Sequence, residues 1–363
     1  MTALRPAVKR AASRVLVTGG CGFIGCNLSD ALAQRGDDVL ILDSLSRAGA
    51  RENADWLKQR HGDRIKIEVA DIRDQTAVEE LVRHASAVLH LAAQVAVTTS
   101  LEQPAEDFAI NAGGTVGLLE AVRRHNPTVP LLFASTNKVY GKLLDGDGVV
   151  RNGQRYVPAD PLLEMGVTEN AQLDFYSPYG CSKGSADQYV RDYARVLSLR
   201  TVVLRMSCIY GPRQFGTEDQ GWIAHFLIRA IRGELISIYG DGFQVRDALF
   251  IDDAVSAWLA ALDSIDKVSG HVFNLGGGPA NAVSLLEMMS LIAVLRGERP
   301  IVAYSAWRPG DQFWYVSDIS RISAALGWAP RVALRDGLQI LEHWLNERFG
   351  HAPSALQLRE ARA

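Results

Sequence analysis

The stretch RVLVTGGCGFIG, residues 14–25, decides which fold this chain is expected to adopt. It begins with a short apolar run typical of a buried strand, and Gly19, Gly22 and Gly25 follow where a helix would begin. Glycine there permits a tight turn and a close approach of a ligand to the backbone, while the first N–H groups of the helix attract a pyrophosphate. The stretch therefore predicts a strand, a turn and a helix that together bind a dinucleotide.

Similar apolar runs follow this stretch and alternate with helical segments. They are DVLILD (38–43), IKIEVAD (65–71), AVLHLAA (87–93), VPLLFAS (129–135) and RTVVLR (200–205). Between them, apolar residues recur at helical spacing, as in 108–122 and 186–196. Because strand–helix–strand repetition gives parallel strands joined by right-handed crossovers, we predict an α/β fold with a doubly wound parallel (Rossmann) sheet. The continuously apolar runs predict that both faces of the sheet are covered.

The alternation of strands and helices becomes less regular after residue 205, which predicts a division of the chain into two parts. The expected units are a disordered lead (1–13), an NAD-binding Rossmann domain (14–205, to which segments near 240–275 are allowed to return), a smaller and mainly substrate-binding C-terminal α/β lobe (206–350) and a tail (351–363). Helical patterns in the lobe cover 221–232, 252–262, 284–295 and 334–347. Residues 143–173 are polar and rich in Gly and Pro, so we expect a surface loop near the mouth of the site.

The composition argues against several classes of partner. The chain has 363 residues, 48% hydrophobic and 22% charged, with a formal net charge of −3. This charge gives no reason to expect nucleic acid or an anionic membrane, and no apolar run reaches the roughly 18 residues of a membrane span. The N-terminal MTALRPAVKRAAS lacks the hydrophobic stretch of a signal peptide. Since Cys21, Cys26, Cys181 and Cys208 show no metal-ligand spacing, we expect reduced thiols, no metal and a cytoplasmic location.

The acidic residue after the second strand bears on the choice of dinucleotide. Asp43 follows Gly25 by 18 residues, where a carboxylate accepts hydrogen bonds from the adenosine ribose. A 2′-phosphate there would meet a repulsion of about 4 kcal/mol, so NAD is predicted over NADP, although the nearby Arg47 reduces this preference. Asp71 and Ile72 are predicted to frame the adenine, but an aspartate at a strand end is also common without a ligand. Further predicted cofactor contacts are Phe23, Ile24, Ala92, Asn111, Tyr179 and Lys183.

A tyrosine and a lysine lie one helical turn apart in FYSPYGCSKGSADQY, residues 175–189. Tyr179 precedes Lys183 by four residues, so the two share a helix face. A free phenol has a pKa of about 10, but a nearby ammonium and the positive charge of an oxidised nicotinamide favour the phenolate. The phenolate can then take a proton from a sugar hydroxyl while hydride leaves the same carbon, and Lys183 can reach the nicotinamide ribose. The spacing alone is weak support, because it occurs by chance on many helices.

The stretch STNKVYG, residues 135–141, strengthens this interpretation. Thr136 ends the fifth predicted strand, on the edge where doubly wound sheets bind ligands, and its hydroxyl could hold the sugar hydroxyl toward Tyr179. The alternative role for Thr136 is a helix or turn cap. Asn111, in INAGGT, is expected either to support Lys183 through a water molecule or only to satisfy a helix interior.

Taken together, TGGCGFIG, HLAAQ, INAGGT, STNKVYG and SPYGCSKG resemble the extended short-chain dehydrogenase/reductase family of nucleotide-sugar epimerases and dehydratases, over residues 14–349. The resemblance implies tightly bound NAD and catalytic roles for Thr136, Tyr179 and Lys183. A narrower resemblance, to 2-epimerases of CDP-hexoses of the paratose and tyvelose type, rests on TNK, YGPRQFGTEDQGW and GDGFQVRD. Pro212 departs from it, since a glycine is expected at that position.

The two residues after Thr136 separate the reactions of the family. The related 4,6-dehydratases of the family have a Thr-Asp-Glu pattern at these positions, because elimination of water needs an acid and a base beside the tyrosine. Asn137 and Lys138 stand here instead and favour epimerisation. Tyr179 would remove the C2 hydroxyl proton as hydride moves to NAD, and hydride would return to the opposite face of the 2-keto sugar, with no net redox change. The alternatives are a 4-epimerase of another nucleotide sugar such as UDP-glucose, and a non-catalytic nucleotide sensor, which the retained tyrosine and lysine disfavour.

The resemblance also implies where a nucleotide-diphosphate sugar would bind. The predicted substrate contacts are Thr98, Thr99, Ser100, Thr136, Asn137, Arg213, Gln214, Arg246 and Arg308. The three arginines are candidates for the diphosphate because their forks match phosphate oxygens, with surface ion pairs as the alternative. Thr98–Ser100 could equally be a polar loop without a ligand. Segments 108–122 and 186–196 look like the dimer helices of the family, which implies a homodimer or homotetramer.

Overall fold

The structure is a computed structural model that describes residues 13–308 and 310–349. The tail predicted at 351–363, and all of the predicted lead except residue 13, lie outside the described residues. Within the described part of the chain, none of the helices combines the length and the apolar character that crossing a bilayer requires.

The order of the elements is that of repeated strand–helix units followed by a mixed lobe. The strands are β1 (Arg14–Thr18), β2 (Asp38–Asp43), β3 (Ile65–Val69), β4 (Ala87–His90), β5 (Leu131–Thr136), β6 (Val149–Asn152), β7 (Arg155–Pro158), β8 (Thr201–Met206), β9 (Cys208–Tyr210), β10 (Ile236–Tyr239), β11 (Val245–Phe250), β12 (Val272–Leu275), β13 (Ala282–Ser284), β14 (Val302–Ser305) and β15 (Trp314–Tyr315). The α-helices are α1 (Phe23–Gln34), α2 (Ala50–His61), α3 (Gln75–Arg83), α4 (Val97–Glu102), α5 (Pro104–Phe108), α6 (Gly114–His125), α7 (Ser177–Leu197), α8 (Trp222–Ile231), α9 (Ile251–Asp263), α10 (Ile265–Val268), α11 (Leu285–Arg296), α12 (Ser320–Leu326) and α13 (Leu334–Phe349). A π-helical turn, Ala109–Gly113, joins α5 to α6.

Seven parallel strands form the central sheet, in the order β12-β8-β5-β4-β1-β2-β3. In the middle of the sheet, Leu16 of β1 lies opposite Leu40 of β2 and Val88 of β4. The chain winds outward from β1 in both directions, so the predicted doubly wound α/β fold is confirmed. The strand β12, which lies within the 240–275 segment, pairs with β8 and forms one edge of the sheet.

Each face of the sheet has its own apolar core. Val15 and Val17 of β1 pack in the core that contains α1, α2 and α9, whereas Leu16 packs in the core that contains α3, α6 and α7. The central strands are therefore buried on both sides, as continuously apolar runs predict. The prediction is wrong for β3, where Val69 is 58% exposed. Because β3 is an edge strand, the flanking helices leave much of it uncovered.

The strand β11 organises the C-terminal lobe. Its first half pairs with β13 on one side and β15 on the other, and its second half pairs with β9, which closely follows β8 in the chain. A second pair of strands, β10 and β14, lies in the same lobe. Since β8 leads directly into β9, the lobe is carried at the carboxyl end of the central sheet.

Residues 143–173 pack against this lobe. The hairpin of β6 and β7 buries Tyr156, and Val167 packs in a core that includes Val245 and Tyr315. None of residues 143–173 lines the main cleft described below, so this segment contributes no side chain to the site. The apolar side chains scattered through this polar segment complete a core with β11 and β15 instead.

A buried ion pair fixes α7 to the sheet. The Asp187 carboxylate of α7 accepts hydrogen bonds from Nε and Nη2 of Arg205 in β8, each at 2.9 Å. It also accepts one from Oγ of Ser135 in β5, at 2.8 Å. The two charged side chains are 0% and 1% exposed. These charge-assisted hydrogen bonds set the position of α7 relative to β5 and β8.

Candidate active site

A cleft of about 710 Å³ opens at the carboxyl ends of the central strands, facing the C-terminal lobe. The residues that follow β1, β2, β4, β5 and β8 all contribute to its lining, as a doubly wound sheet predicts for a ligand site. The lobe contributes residues 213–215, 217 and 219–223, with Gln214 and Trp222 among the lining side chains. The cleft therefore joins the glycine loop to the candidate chemical groups on β5 and α7.

The glycine loop forms a cradle that side chains would fill. Gly19 has a positive φ of 70°, and a Cβ there would lie 2.7 Å from the backbone nitrogen of Ala92. A Cβ on Gly25 would lie 2.1 Å from the carbonyl oxygen of Gly19. Helix α1 begins at Phe23 with Gly22 as its N-cap, and no side chain caps its first N–H groups. These groups and the positive end of the helix dipole suit a pyrophosphate, so the residues present fit NAD.

We expect Gly25→Ala to remove bound NAD, because the new methyl group would push against the backbone of Gly19. The NAD retained by the purified protein should fall at least about tenfold, equivalent to roughly 1.4 kcal/mol of binding free energy. NAD released by denaturation is the quantity to measure. Gly113→Ala is the matched control, because its Cβ would meet only the Phe108 carbonyl oxygen at 3.8 Å. Equal NAD contents in the two variants would contradict the assignment of the cradle.

The carboxylates predicted to meet the adenosine line the same cleft. Asp43 accepts hydrogen bonds from the backbone N–H groups of Cys21, at 2.9 Å, and Leu45, at 2.8 Å, which hold it at the end of β2. Asp71 and Ile72 also line the cleft. The Arg73 guanidinium bonds both oxygens of Asp71 and holds the pKa of that carboxyl below its usual value.

Tyr179 and Lys183 lie on the buried face of α7 and line the cleft together with Thr136. The Thr136 side chain faces the phenol of Tyr179 and acts to lower the pKa of that phenol. The ammonium of Lys183 lies 4.1 Å from the centre of the Phe133 ring, so an aromatic face supports its charge. The structure thus brings the three predicted catalytic candidates into one place.

Burial dominates the titration of this pair. It raises the pKa of Tyr179 to about 12, against the lowering effects of the Thr136 side chain and the Arg47 charge. It lowers the pKa of Lys183 to about 7, although the carboxylates of Asp187 and Asp107 act in the opposite direction. Among the protein groups, the rise caused by burial in the pKa of Tyr179 exceeds these lowering effects. Forming the phenolate needs additional positive charge in the closed site.

A polar network that the sequence did not reveal lies behind the pair. Asn111 donates to the Gln94 carbonyl at 3.0 Å, to Asp107 at 3.1 Å and to Ser182 at 3.0 Å. Asn111 is itself absent from the cleft lining, because its side chain is buried and fully engaged in joining α5, α7 and the segment after β4. The burial of Asp107 raises its pKa. The spacing of four residues between Asp107 and Asn111 is the sequence signal from which this network could have been inferred.

The predicted substrate contacts divide into two groups. Within the described part of the chain, those that line the cleft are Thr136, Asn137, Arg213 and Gln214, and those that do not are Thr98, Thr99, Ser100, Arg246 and Arg308. Ser100 is buried and its hydroxyl accepts a hydrogen bond from the backbone N–H of Tyr179, at 3.1 Å, so it supports the start of α7. The hydroxyl oxygen of Thr98 is buried.

The three arginines predicted to bind the diphosphate have different surroundings. Arg213 packs 3.9 Å from the centre of the Trp56 ring of α2, which places it beside the dinucleotide cradle. Arg246 pairs with Asp311 at 2.7 Å. Arg308 does not itself line the cleft, but it pairs with Glu218 at 3.2 Å and with the lining residue Asp219 at 3.9 Å. Arg246 and Arg308 therefore both form ion pairs with carboxylates of the protein, as in the alternative stated above.

Free thiols and acidic residues do not form a metal site in the part of the chain described. No group of three or more His, Cys, Asp or Glu side chains there could hold a metal ion. Cys21 and Cys26 are buried, and burial raises the pKa of Cys21 to about 12. Cys208 accepts a hydrogen bond from Nε1 of Trp222, at 3.3 Å. These thiols therefore serve packing and polar contacts in this structure.

The fold and the cleft define the class of protein: a dinucleotide-dependent α/β enzyme with a tyrosine and a lysine beside its cofactor cradle. The chain belongs to the NAD dependent epimerase/dehydratase family, and the match to this family covers residues 15–276. It is 41% identical over 338 residues to CDP-paratose 2-epimerase of Salmonella typhi, covering 91% of this chain and 98% of that relative.

Solved structures agree with this assignment. The UDP-glucose 4-epimerase of Thermotoga maritima, solved with UDP-glucose, is 31% identical with a TM-score of 0.80, covering 92% of this chain and 99% of that one. The UDP-glucose 4-epimerase of Thermus thermophilus, solved with NAD, is 31% identical with a TM-score of 0.76 and the same coverage. The comparisons confirm the predicted family, the fold class, NAD as the cofactor and the interpretation of the chain as an NAD-dependent epimerase.

Proposed function

We propose that this protein inverts C2 of a CDP-hexose of the paratose and tyvelose type by transient oxidation. The observation that carries this proposal is the 41% identity to CDP-paratose 2-epimerase, which extends over 98% of that enzyme. The identity to the Thermotoga UDP-glucose 4-epimerase is 31%. The cleft supports the chemistry, because it holds a hydroxyl, a phenol and an ammonium beside the cradle for the dinucleotide.

Each of these groups has a proposed task. Bound NAD supplies the acceptor and later the donor for the hydrogen of C2. Thr136 holds the C2 hydroxyl against Tyr179, whose phenolate removes the hydroxyl proton and later returns it. Lys183 stabilises that phenolate and binds the nicotinamide ribose. The cradle of Gly19, Gly22 and Gly25 binds the pyrophosphate. The remaining proposed cofactor contacts are Phe23, Ile24, Asp43, Asp71, Ile72 and Ala92, all of which line the cleft.

The neighbours of Thr136 favour epimerisation over elimination. Asn137 and Lys138 line the cleft at the positions where a dehydratase would need an acid and a base beside the tyrosine. The Asn137 amide cannot act as either near neutral pH, so an elimination would have only Lys138 to serve as both acid and base. The carboxylate of Asp107 is held by Ser182 and Asn111 behind α7, outside the cleft lining.

Incubating the NAD-loaded enzyme with CDP-hexoses and UDP-hexoses in deuterated buffer tests the proposal. We expect inversion at C2 of the CDP-sugar without deuterium at that carbon, because the hydrogen removed from C2 is returned without exchange with water. Proton NMR of the product reads both the configuration and the label. Inversion only at C4, and most readily of UDP-glucose, would contradict this proposal. It would indicate a 4-epimerase instead, which is the activity named for the Thermotoga relative.

We also propose a homodimer, formed through α5, α6 and α7. Of these helices, α5 and α7 carry large exposed apolar side chains, with Phe108 at 58%, Tyr189 at 48% and Val196 at 68% exposure. Apolar residues of this size on neighbouring helices suit a self-complementary interface.

The division of the chain at residue 205 stays a proposal, with β12 as the segment of the later chain that joins the Rossmann sheet. A cytoplasmic location is proposed from the unpaired state of Cys21, Cys26, Cys181 and Cys208.

A further inference from the structure

Lys138 differs from the other cations of the cleft. The described cations that line it are Arg47, Arg73, Lys138, Lys183 and Arg213. The contacts of the other four are Gln220 for Arg47, Asp71 and Glu106 for Arg73, the Phe133 ring for Lys183 and the Trp56 ring for Arg213. Among residues 13–308 and 310–349, the Lys138 ammonium has neither an acceptor within hydrogen-bond distance nor an aromatic ring against it. Its charge is available to a ligand.

The position of Lys138 relates it to both the reacting group and the lobe. It follows Thr136 by two residues, and its backbone N–H donates to the Thr136 hydroxyl at 3.2 Å. Its side chain lies in the electrostatic environment of Arg246, Asp311 and Cys208, on the side of the C-terminal lobe. Burial and the Arg246 charge together lower the pKa of Lys138 to about 8. An anion that binds beside Lys138 would therefore be attracted by the ammonium and would favour the charged form of the lysine.

We propose that Lys138 binds the phosphate on C1 of the sugar and thereby selects substrates that react at C2. This inference rests on the proposed function, because the reacting hydroxyl is placed at Thr136 and Tyr179. In a sugar that reacts at C2, the neighbouring carbon carries the phosphate. In a sugar that reacts at C4, the phosphate lies across the ring from the reacting carbon. A cation two residues from Thr136 can therefore contact the phosphate of the first substrate while its C2 hydroxyl is at Tyr179.

Arg246 is a weaker candidate for this contact. Its Nη2 is committed to Asp311 at 2.7 Å, and its Nη1 donates to the carbonyl oxygen of Val245 at 2.8 Å. The ion pair neutralises its charge at close range, whereas Lys138 offers three donors on a flexible stem.

Calorimetric titration of the NAD-loaded enzyme with a nucleoside diphosphate and with its monophosphate tests this role. Among CDP, UDP and dTDP, the diphosphate that the wild type binds most tightly is used. We expect Lys138→Gln to weaken diphosphate binding about 10- to 100-fold, the usual cost of losing a charge-assisted hydrogen bond, and monophosphate binding less than about twofold. Lys138→Arg should restore most of the difference, because it keeps the charge.

Two further variants separate binding from folding. Lys138→Met is a second removal of the charge, and it should fold at least as well as the wild type because an apolar side chain replaces a largely buried cation. Lys142→Gln is the matched control, since this lysine is exposed, pairs with Asp145 and lies outside the cleft lining. NAD content should remain unchanged in all four variants. If Lys138 acted only by shaping the cleft, its replacement could change the NAD content as well.

The outcomes are distinguishable from those of the deuterium experiment. Unchanged diphosphate affinity in Lys138→Gln and Lys138→Met, or an equal loss for diphosphate and monophosphate, would overturn the role of Lys138. A wild-type preference for UDP over CDP would instead correct the base in the proposed function, while the difference between diphosphate and monophosphate would still test this residue. A normal Lys138 effect combined with inversion at C4 would remove only the selection of C2.

Discussion

Replacing Tyr179 by phenylalanine is expected to reduce turnover by about a thousandfold, within the range of 10²–10⁴ that a positioned acid–base group contributes. The substitution removes the phenol oxygen that Thr136 faces and leaves the buried ring in place. Helix α7 and the cradle should be unaffected, so the NAD content should equal that of the wild type. The rate of epimerisation under saturating substrate is the quantity to measure.

A second tyrosine of the same helix provides the control. Tyr189 lies ten residues after Tyr179 in α7, and its side chain is 48% exposed. Tyr189→Phe removes the same atom away from the cleft and should leave turnover within about twofold of the wild type. Turnover of Tyr179→Phe near that of the control would remove the phenol from the mechanism.

The pH dependence gives an independent reading of the same group. Burial raises the pKa of the Tyr179 phenol to about 12 when the protein groups act alone. Since the deprotonated phenol accepts the proton, wild-type turnover should rise with pH until the pKa of Tyr179 in the substrate complex is passed. The residual turnover of Tyr179→Phe should lack this rise, because that variant has no phenol to titrate. A parallel rise in both proteins would assign the titration to another group.

Features that depend on local chain geometry could be predicted from the sequence. The glycine turn needs only a strand, a close approach of backbone to backbone and a helix start, and all three are encoded within residues 14–25. Tyr179 and Lys183 share a helix face by spacing alone. The seven-stranded sheet follows from the repeated apolar runs, apart from the uncovered edge strand β3 and the return of β12 beside β8.

Features that depend on distant parts of the chain could not be predicted in this way. Arg246 is committed to Asp311, which lies 65 residues later and carries no local signal of that pairing. The Phe133 ring beneath Lys183 is supplied by the neighbouring strand β5, so the packing of α7 on the sheet had to be known first. The balance between burial and charge at Tyr179 likewise depends on how completely the cleft closes around the phenol, which no spacing of residues expresses.

The buried ion pair behind α7 leads to the largest expected change in stability. Asp187→Asn leaves Arg205 as an uncompensated charge that is 1% exposed, and removal of one partner from such a pair typically costs about 3–5 kcal/mol. We expect the free energy of unfolding, measured by urea denaturation of the NAD-loaded enzyme, to fall by about 4 kcal/mol. Asp192→Asn, in an exposed pair with Arg195 on the same helix, should change it by less than about 0.5 kcal/mol.

Restoring the balance of charge separates this cost from a change of shape. The double variant Asp187→Leu and Arg205→Met removes both charges and should recover most of the lost stability, because the desolvation of the charged pair is then avoided. It should not recover full turnover, since the carboxylate also binds Ser135, the residue before Thr136, and thereby aligns β5 with α7. Equal stability of Asp187→Asn and the wild type would show that the acceptors that remain, including the Tyr140 phenol to which Nη1 of Arg205 already donates at 3.1 Å, compensate the guanidinium.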